Sequence, residues 1–238
     1  FFLYFAYSMP HLPVHTAPEF QGRSRGGHYG DVIETIDWSV GQVLETLEDQ
    51  GFEENTLVIF TSDNGPWLNL PNRMLQAGNL PWHAGSPGPL RGAKATTYEG
   101  GVRVPCVIHW PQTFTRRGTS PEIASSIDLF ATIVAAAGAE EAIAHREIDG
   151  LNLAPYLTGA SDAWPRDTFF YFHGYQLHGV RQGPWKLRLK DGVELFHLDR
   201  DPSERYNVAE DEPERVAQLK AMAEAKIKQT GGNLSWEP

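Results

Sequence analysis

Polar residues suited to metal binding directly follow an apolar run of the chain. Asp63 and Asn64 come immediately after residues 56–62, a run that is typical of a buried strand. Their carboxylate and amide oxygens suit a hard cation such as Ca²⁺ or Mg²⁺. Asp-Asn-Gly is also favoured turn chemistry, and this pair would supply a minority of the roughly 6–8 oxygen ligands that Ca²⁺ takes. A metal site here therefore requires further carboxylates from elsewhere.

His11 and Lys94 are the candidates for acid–base or anion-binding chemistry. Two prolines within residues 10–13 stiffen the loop around His11, where an imidazole can act as a general acid or donate a hydrogen bond to an oxyanion. Lys94 lies in residues 91–101, a glycine-bracketed segment with two threonines that could cradle an anion. This segment lacks the GxxxxGK(S/T) pattern of a P-loop. Either residue also fits an exposed loop position, and the pattern leaves that alternative open.

Two further side chains have both a chemical and a packing interpretation. His83 follows Trp82 in a loop, where it either contacts a substrate or packs against that ring. Cys106 is the only cysteine, which excludes an internal disulfide and CxxC-type zinc or redox sites. Because it lies inside the strand-like residues 104–109, we expect a buried, inert thiol rather than a nucleophile. No nucleophile elbow, HExxH motif or dinucleotide fingerprint occurs in the sequence.

Length, charge and hydropathy bound the classes of function. The chain has 238 residues, of which 41% are hydrophobic and 21% are charged, as in an ordinary globular protein. Its net charge of −10, from 20 basic and 30 acidic residues, argues against a nucleic-acid backbone as the main partner. No run approaches the ~20 apolar residues of a transmembrane helix, and no signal peptide is visible. Because the chain opens inside the apolar residues 1–8, we expect a fragment of a longer protein.

The order of periodic segments predicts the elements that position the candidate residues. Residues 1–8 and 56–62 are typical of strands buried on both faces, and residues 29–50 have the i, i+3, i+4 apolar spacing of a helix. Strand, helix and strand in this order predict a right-handed βαβ unit in a mostly parallel sheet flanked by helices. In such sheets ligands bind beyond the carboxyl ends of the strands. The proline-flanked histidine and the Asp-Asn pair are therefore expected at one edge of the sheet.

The remaining segments predict a second, smaller unit. Residues 66–103 form a long loop rich in Gly and Pro, and loops of this length are usually functional or disordered. Beyond residue 160 the composition changes to short strand-like runs separated by turn residues, followed by an amphipathic helix. We therefore divide the chain into an α/β domain, residues 1–160, and an antiparallel subdomain with a terminal helix, residues 161–238. The predicted elements are strands 104–109, 168–173, 179–190 and 192–198, and helices 123–137 and 212–229.

The series of motifs resembles the sulfatase family of the alkaline phosphatase superfamily. The match runs from Pro-His-x-Pro through T-L-V-I-F-T-S-D-N-G to L-R-G-x-K-x-T-T-Y-E-G-G-V-R-V-P. It continues through S-S-I-D-L-F-A-T-I-V-A-A-A-G, D-G-L-N-L-A-P-Y-L-T-G, V-R-Q-G-P-W-K-L and L-F-H-L-D-R-D-P-S-E-R-Y-N-V-A, and so covers nearly the whole chain. The subgroup is similar to arylsulfatase A and N-acetylgalactosamine-6-sulfatase. The resemblance implies an alkaline-phosphatase-like α/β fold and hydrolysis of a sulfate ester, either an aryl sulfate or a sulfated sugar.

The resemblance also implies roles for single residues. In the family, a formylglycine made from the Cys or Ser of C/S-x-P-x-R attacks sulfur as its hydrate, and Ca²⁺ holds the sulfate oxygens. Asp63 and Asn64 match two of the metal ligands, with Mg²⁺ as the alternative cation. His11 matches the histidine that contacts the sulfate or protonates the leaving oxygen, and Lys94 matches the lysine that binds the sulfate. His83 matches an H-A-G-S stretch of some subgroups and is expected to contact the sugar or aryl part.

The chain departs from the family at the nucleophile. No C/S-x-P-x-R motif occurs, and Cys106 is followed by Val107 rather than by the rest of that motif. We therefore expect the C-terminal half of a sulfatase, with the formylglycine and the other metal ligands upstream, and no activity from this chain alone. A secreted or periplasmic location is implied only by the usual location of members of the family.

Two alternative functions stay open. A phosphodiesterase or phosphonate hydrolase of the same superfamily would keep the metal-binding edge and change the nucleophile, although residues 94–101 favour the sulfatase. A non-catalytic protein that binds Ca²⁺ or a sulfated sugar is the third hypothesis. The coding sequence upstream of Phe1 discriminates among the three.

Overall fold

The chain folds into a mixed α/β structure. The computed structural model describes residues 1–75, 78–231 and 233–234. In these ranges no helix is both long enough and apolar enough to cross a bilayer. The α-helices are α1 (Gly27–Asp49), α2 (Glu99–Val102), α3 (Ser126–Ala136), α4 (Ala154–Leu157) and α5 (Pro213–Thr230), and short 3₁₀ helices lie at Pro18–Phe20, Glu53–Asn55, Asn72–Met74 and Glu140–Ile143. The strands are β1 (Val58–Thr61), β2 (Cys106–His109), β3 (Thr168–His173), β4 (Gln176–Gln182), β5 (Trp185–Arg188), β6 (Glu194–His197) and β7 (Asn233–Leu234).

The long helix α1 follows from the apolar spacing of its sequence. It spans Gly27–Asp49, close to the predicted residues 29–50. Its end is set by Gly51, whose φ of +70° lies in the left-handed region that glycine adopts without a steric penalty. Val32 is buried on the face that covers the preceding loop. The helix therefore anchors the loop in which His11 lies.

Residues 1–8 form no strand, so the prediction of a buried first strand is wrong. Phe1 and Tyr4 expose 88% and 82% of their surface. The segment contacts α1 through the Tyr7 hydroxyl, which donates a hydrogen bond to Ser39 over 3.0 Å. An apolar, β-favouring run becomes a strand only where a neighbouring strand supplies hydrogen bonds, and in the described part of the chain none pairs with it. The predicted βαβ unit is consequently not formed there.

The strand that precedes Asp63 pairs in the antiparallel direction. β1 and β2 form a two-stranded ladder in which Val58 lies opposite His109 and Thr61 lies opposite Cys106. Within the described ranges, this sheet contains no parallel pair, contrary to the predicted mostly parallel sheet. Cys106 is exposed rather than buried, because a ladder of two strands leaves a face open. Two strands alone cannot generate the common carboxyl edge that the sequence argument assumed.

The C-terminal sheet is an antiparallel meander in the order β3-β4-β5-β6, with β7 added to β4 in parallel. The predicted strand 179–190 is two strands, since Gly183 and Pro184 form a two-residue hairpin loop between Gln182 and Trp185. Gly183 has a φ of +53°, the left-handed conformation that such tight hairpins require. The small antiparallel sheet with a C-terminal helix is thus confirmed, with one more meander strand than predicted.

The main core lies between this sheet and α5. Leu219 and Ala223 of the helix are fully buried against the sheet. Burial of each such Leu side chain contributes roughly 1.5–3 kcal/mol relative to exposure. The α/β class is confirmed, and the division of the chain near residue 160 stays a prediction. The sheet residues of this core are Leu177, Val180, Leu187, Leu189 and Leu195.

A buried histidine in this sheet predicts acid sensitivity. His178 is 3% exposed and stacks on His173 with ring centroids 5.3 Å apart. Burial, reinforced by the charge of Lys190, lowers the pKa of His178 to about 4. Since an unfolded histidine has a pKa of about 6.5, the unfolded chain binds more protons between these values, and stability falls as pH drops from about 6.5 to about 4.

We expect His178→Gln to flatten this part of the stability curve. Thermal melting at intervals from pH 4 to pH 7 checks the effect, and the wild-type Tm should fall by about 5 °C more than that of the variant. His145→Gln, a change at an exposed histidine, is the control and should melt like wild type. Parallel curves for wild type and His178→Gln would contradict the assignment.

Candidate functional site

The loop before α1 holds His11 at the surface. Its neighbours Leu12 and Val14 are buried against Val32 of α1, whereas His11 itself is exposed. The Nδ1 atom of His11 lies 2.7 Å from the carbonyl oxygen of Leu12. A carbonyl only accepts, so Nδ1 carries a proton and donates it, which leaves Nε2 for another partner.

Trp67 brings His11 and Lys94 to one place. The indole lies 6.1 Å, between ring centroids, from the imidazole of His11. The Nζ atom of Lys94 lies 5.5 Å from the centroid of the same ring, within the range of a cation–π attraction. Trp67 also packs against the apolar cluster around Val14, which fixes the ring. The two predicted catalytic residues therefore share one aromatic platform.

The turn with Asp63 and Asn64 is tied to the segment that carries Lys94. The amide of Gly65 donates to the carbonyl of Gly101 over 3.0 Å, and the amide of Lys94 donates to the carbonyl of Pro66 over 2.9 Å. A Cβ added at Gly65 would lie 1.9 Å from the carbonyl oxygen of Gly100, so no larger residue fits at this crossing. These backbone contacts place the Asp-Asn turn beside residues 91–101, which we call the lysine segment.

Asp63 and Asn64 have the donor chemistry for a hard cation. Asp63 is exposed and Asn64 is half-buried. In the described part of the chain, neither side chain has a hydrogen-bond or ion-pair partner, so their oxygens are available to a ligand. Across the same residues no group of three or more His, Cys, Asp or Glu side chains is positioned to hold a metal. The donor chemistry of the pair is compatible with a hard cation, and its role as a metal site stays a prediction.

His83 lies to one side, packed rather than exposed. It is 8% exposed, and its Nδ1 accepts a hydrogen bond from the amide of Leu80 over 3.1 Å. Its ring meets that of His28 edge to face at 5.6 Å and that of Trp82 at 6.3 Å. Burial lowers the pKa of His83, and the positive charge of His28 lowers it further, which favours the neutral ring. Its role as a substrate contact stays a prediction.

A buried charge cluster, which the sequence argument missed, lies behind the lysine segment. Lys186 is fully buried and contacts Glu99 over 2.8 Å and Glu204 over 2.9 Å. Burial acts to raise the pKa of Glu99, but Lys186 and then Arg181 outweigh it and hold that pKa below its usual value. Burial raises the pKa of Glu204 despite the same lysine. A lysine on a strand flanked by apolar residues was the sequence signal for a buried acidic partner.

A second group of charges surrounds Tyr98 in the same region. The guanidinium groups of Arg91 and Arg188 lie 4.0 and 3.5 Å from the centroid of its ring. The Tyr98 hydroxyl donates to Glu194 over 3.0 Å, and Glu194 also pairs with both arginines. The lysine segment is therefore bound to the C-terminal sheet by charge as well as by packing.

The sulfatase family model matches residues 1–139 of this chain. The chain belongs to the sulfatase family. A second model, for the C-terminal part of N-sulphoglucosamine sulphohydrolase, matches residues 93–231. The two matches overlap on the lysine segment and together extend over almost the whole sulfatase chain.

Individual relatives are sulfatases as well. Human N-acetylgalactosamine-6-sulfatase is 35% identical, over 87% of this chain and 44% of its own length. Human arylsulfatase A is 34% identical, over 93% of this chain and 48% of its own. A structure described under metabolism of multiple glycosaminoglycans by Bacteroides thetaiotaomicron has a TM-score of 0.72 and 27% identity, over 91% of this chain and 48% of that one. These likenesses confirm the expected fold, and the chain spans less than half the length of these relatives.

Proposed function

We propose that this chain is the C-terminal half of an enzyme that hydrolyses sulfate esters. The observation that carries the proposal is the shared platform of Trp67, which holds His11 and Lys94 together beside the Asp63-Asn64 turn. Two groups that can carry positive charge therefore lie near a turn that offers two oxygen donors. This combination suits an ester whose reacting group is a sulfate anion.

The residues of this chain act on charge rather than on the sulfur bond itself. In sulfate-ester hydrolysis, negative charge grows on the leaving oxygen as its bond to sulfur breaks. The ammonium of Lys94 binds a sulfate oxygen, and one such preorganised donor is typically worth ~3 kcal/mol of barrier. In its doubly protonated form, His11 keeps the Nδ1 proton on the carbonyl of Leu12 and uses the Nε2 proton to protonate the leaving oxygen or to donate a hydrogen bond to the sulfate.

Asp63 and Asn64 are proposed as two ligands of Ca²⁺, with Mg²⁺ as the alternative. Their free oxygens are of the hard type that both ions prefer. When bound, such a cation supplies positive charge beside the sulfate oxygens. Since Ca²⁺ takes roughly 6–8 ligands, the remaining ligands are assigned to the part of the enzyme that this chain does not contain.

The nucleophile is also assigned to that other part. No C/S-x-P-x-R motif is present in the 238 residues, so the formylglycine of the family cannot form here. The chain provides a sulfate-binding half site, and we expect it to be inactive until combined with the half that carries the nucleophile.

A sulfated carbohydrate is the proposed natural substrate class, with aryl sulfates as the second candidate. The first is supported by the likeness to N-acetylgalactosamine-6-sulfatase and to the structure from glycosaminoglycan metabolism. The second is supported by the nearly equal identity to arylsulfatase A. The exposed indole of Trp82, in the same loop as His83, offers a flat surface of the kind that stacks on a sugar or an aryl ring.

The test compares the complete protein with the 238-residue chain on para-nitrophenyl sulfate and on 6-sulfated N-acetylgalactosamine. We expect the complete protein to turn over at least one of them and the shorter chain to turn over neither. The matching phosphate ester is the control and should be hydrolysed far more slowly. Faster hydrolysis of the phosphate would favour the phosphodiesterase alternative, and metal-dependent turnover by the short chain would refute the half-site proposal.

A further inference from the structure

Glu204 has a backbone conformation that a residue with a side chain seldom adopts. Its φ is +50°, in the left-handed region, and the residue is fully buried in the loop after β6. Such conformations persist only where the surrounding structure holds them, and they concentrate at functional sites. A simple turn of the chain does not by itself explain why a fully buried glutamate adopts this conformation.

The contacts of Glu204 reach both ends of the segment that carries Lys94. Its side-chain Oε2 accepts a hydrogen bond from the amide of Glu99 over 2.7 Å. Its backbone carbonyl accepts a hydrogen bond from the guanidinium of Arg91 over 2.9 Å. Lys94 lies between these two attachment points in the chain. A single residue of the C-terminal subdomain thus holds both the start and the end of the lysine segment. We call these two hydrogen bonds the clamp.

Within the clamp, the segment is packed backbone on backbone. The amide of Gly100 donates to the carbonyl of Arg91 over 2.7 Å, which closes the segment on itself. A Cβ added at Gly101 would lie 2.5 Å from the carbonyl oxygen of Ala93, directly before Lys94. Ala95, directly after Lys94, has a φ of +71°. Because the backbone on either side of the lysine is this constrained, a shift at Glu99 must move Lys94.

Lys186 holds the carboxylate of Glu204 in place. Its ammonium donates a hydrogen bond to Glu99 and forms an ion pair with Glu204, and all three side chains are at least 98% buried. The ammonium also lies 4.4 Å from the ring centroid of Tyr171, which is buried in the same cluster. Buried charges of this kind hold one geometry, because any other arrangement leaves a charge without its partner.

From this geometry we infer that Glu204 is a positioning residue for Lys94: it orders the lysine segment so that the ammonium meets the sulfate in the transition state. The inference rests on the proposed function. It assigns a catalytic contribution to the C-terminal subdomain, through a residue that touches neither the substrate nor the reacting atoms. Because reacting groups must be placed within fractions of an ångström, loosening the clamp should lower kcat more than it raises KM.

The test uses Glu204→Ala and Glu204→Gln in the complete protein. Alanine removes the acceptor for the Glu99 amide, whereas glutamine keeps an acceptor oxygen of the same reach, so glutamine should recover part of the loss. Lys186 keeps Glu99 as its partner in both variants, which favours retention of the fold. We expect Glu204→Ala to lower kcat by about 10- to 100-fold and to speed amide exchange in residues 91–101.

Arg166→Met is the matched control. The Nε of Arg166 lies 2.9 Å from the carboxylate of Asp128, which is fully buried. In the described part of the chain, neither residue has a hydrogen bond or ion pair with the lysine segment. Its loss should lower Tm as Glu204→Ala does, while kcat stays within about twofold of wild type. A comparable loss of kcat in Arg166→Met would reduce Glu204 to a purely structural role.

The two proposals fail in different ways. Absence of sulfatase activity in the wild-type complete protein defeats the proposed function, whatever the variants do. Wild-type kcat and unchanged exchange of residues 91–101 in folded Glu204→Ala defeat the positioning role alone. If the alanine variant does not fold, Glu204→Met, which fills the same space but also lacks the acceptor, decides through the same two measurements.

Discussion

Lys94→Ala in the complete enzyme is expected to lower kcat/KM by about 100- to 1000-fold, the usual consequence of removing one preorganised donor from a developing oxyanion. Lys94 is half-buried and its Nζ lies over Trp67, the position from which we propose that the ammonium binds the sulfate. Alanine leaves that surface without a positive charge. Steady-state kinetics on an aryl sulfate measure the loss.

Two substitutions control this experiment. Lys94→Arg keeps the charge but changes its shape and reach, and it should retain part of the activity. Lys228→Ala removes an exposed lysine from the last turn of α5 and should leave the rate unchanged. A value of kcat/KM within a few-fold of wild type in Lys94→Ala would exclude Lys94 from the site.

The sequence was most informative where periodic burial decides the structure. The apolar spacing of α1 and α5 and the short runs of the meander predicted elements that the structure contains, because each buries one face in a local core. Residues 1–8 failed for the opposite reason. Their composition favours a strand, yet a strand also needs hydrogen-bonding neighbours, and apolar composition carries no information about those.

The candidate site was predicted for a partly wrong reason. The expected meeting of His11 with Asp63 and Asn64 relied on parallel strands ending at one edge, and β1 pairs antiparallel with β2 instead. In the structure, Trp67 and the close backbone crossing at Gly65 bring the segments together. The sequence indicated which types of residue could form the site, whereas the packing of the long loop determines which of them lie close together.

The charge cluster behind the site could not be derived from spacing. Glu99 is separated from Lys186 by 87 residues and from Glu204 by 105. No periodicity connects positions so far apart in sequence. The available clue was local: Lys186 lies between Trp185 and Leu187 on a strand, where a charged side chain facing the core must find an ionic partner.

The second large effect concerns the cation. We expect Asp63→Ala in the complete enzyme to reduce kcat/KM at least about 100-fold. The site loses a carboxylate ligand, so the cation binds more weakly and supplies less positive charge to the sulfate. Ca²⁺ binding should weaken in parallel. Because a ligand that binds only the folded state raises Tm with its concentration, a calcium titration followed by thermal melting measures that loss without an activity assay.

The matched control for Asp63 is Asp162→Ala. Asp162 is also an exposed carboxylate, but it pairs with Arg116 away from the Trp67 platform, so its loss should leave the calcium-dependent shift in Tm intact. Removing the cation with a chelator should inactivate the wild-type and Asp162→Ala enzymes alike, and added Ca²⁺ should restore both. An Asp63→Ala enzyme that keeps the wild-type calcium shift would place the cation elsewhere, since no other donor in the Asp63-Asn64 turn carries a negative charge to replace it.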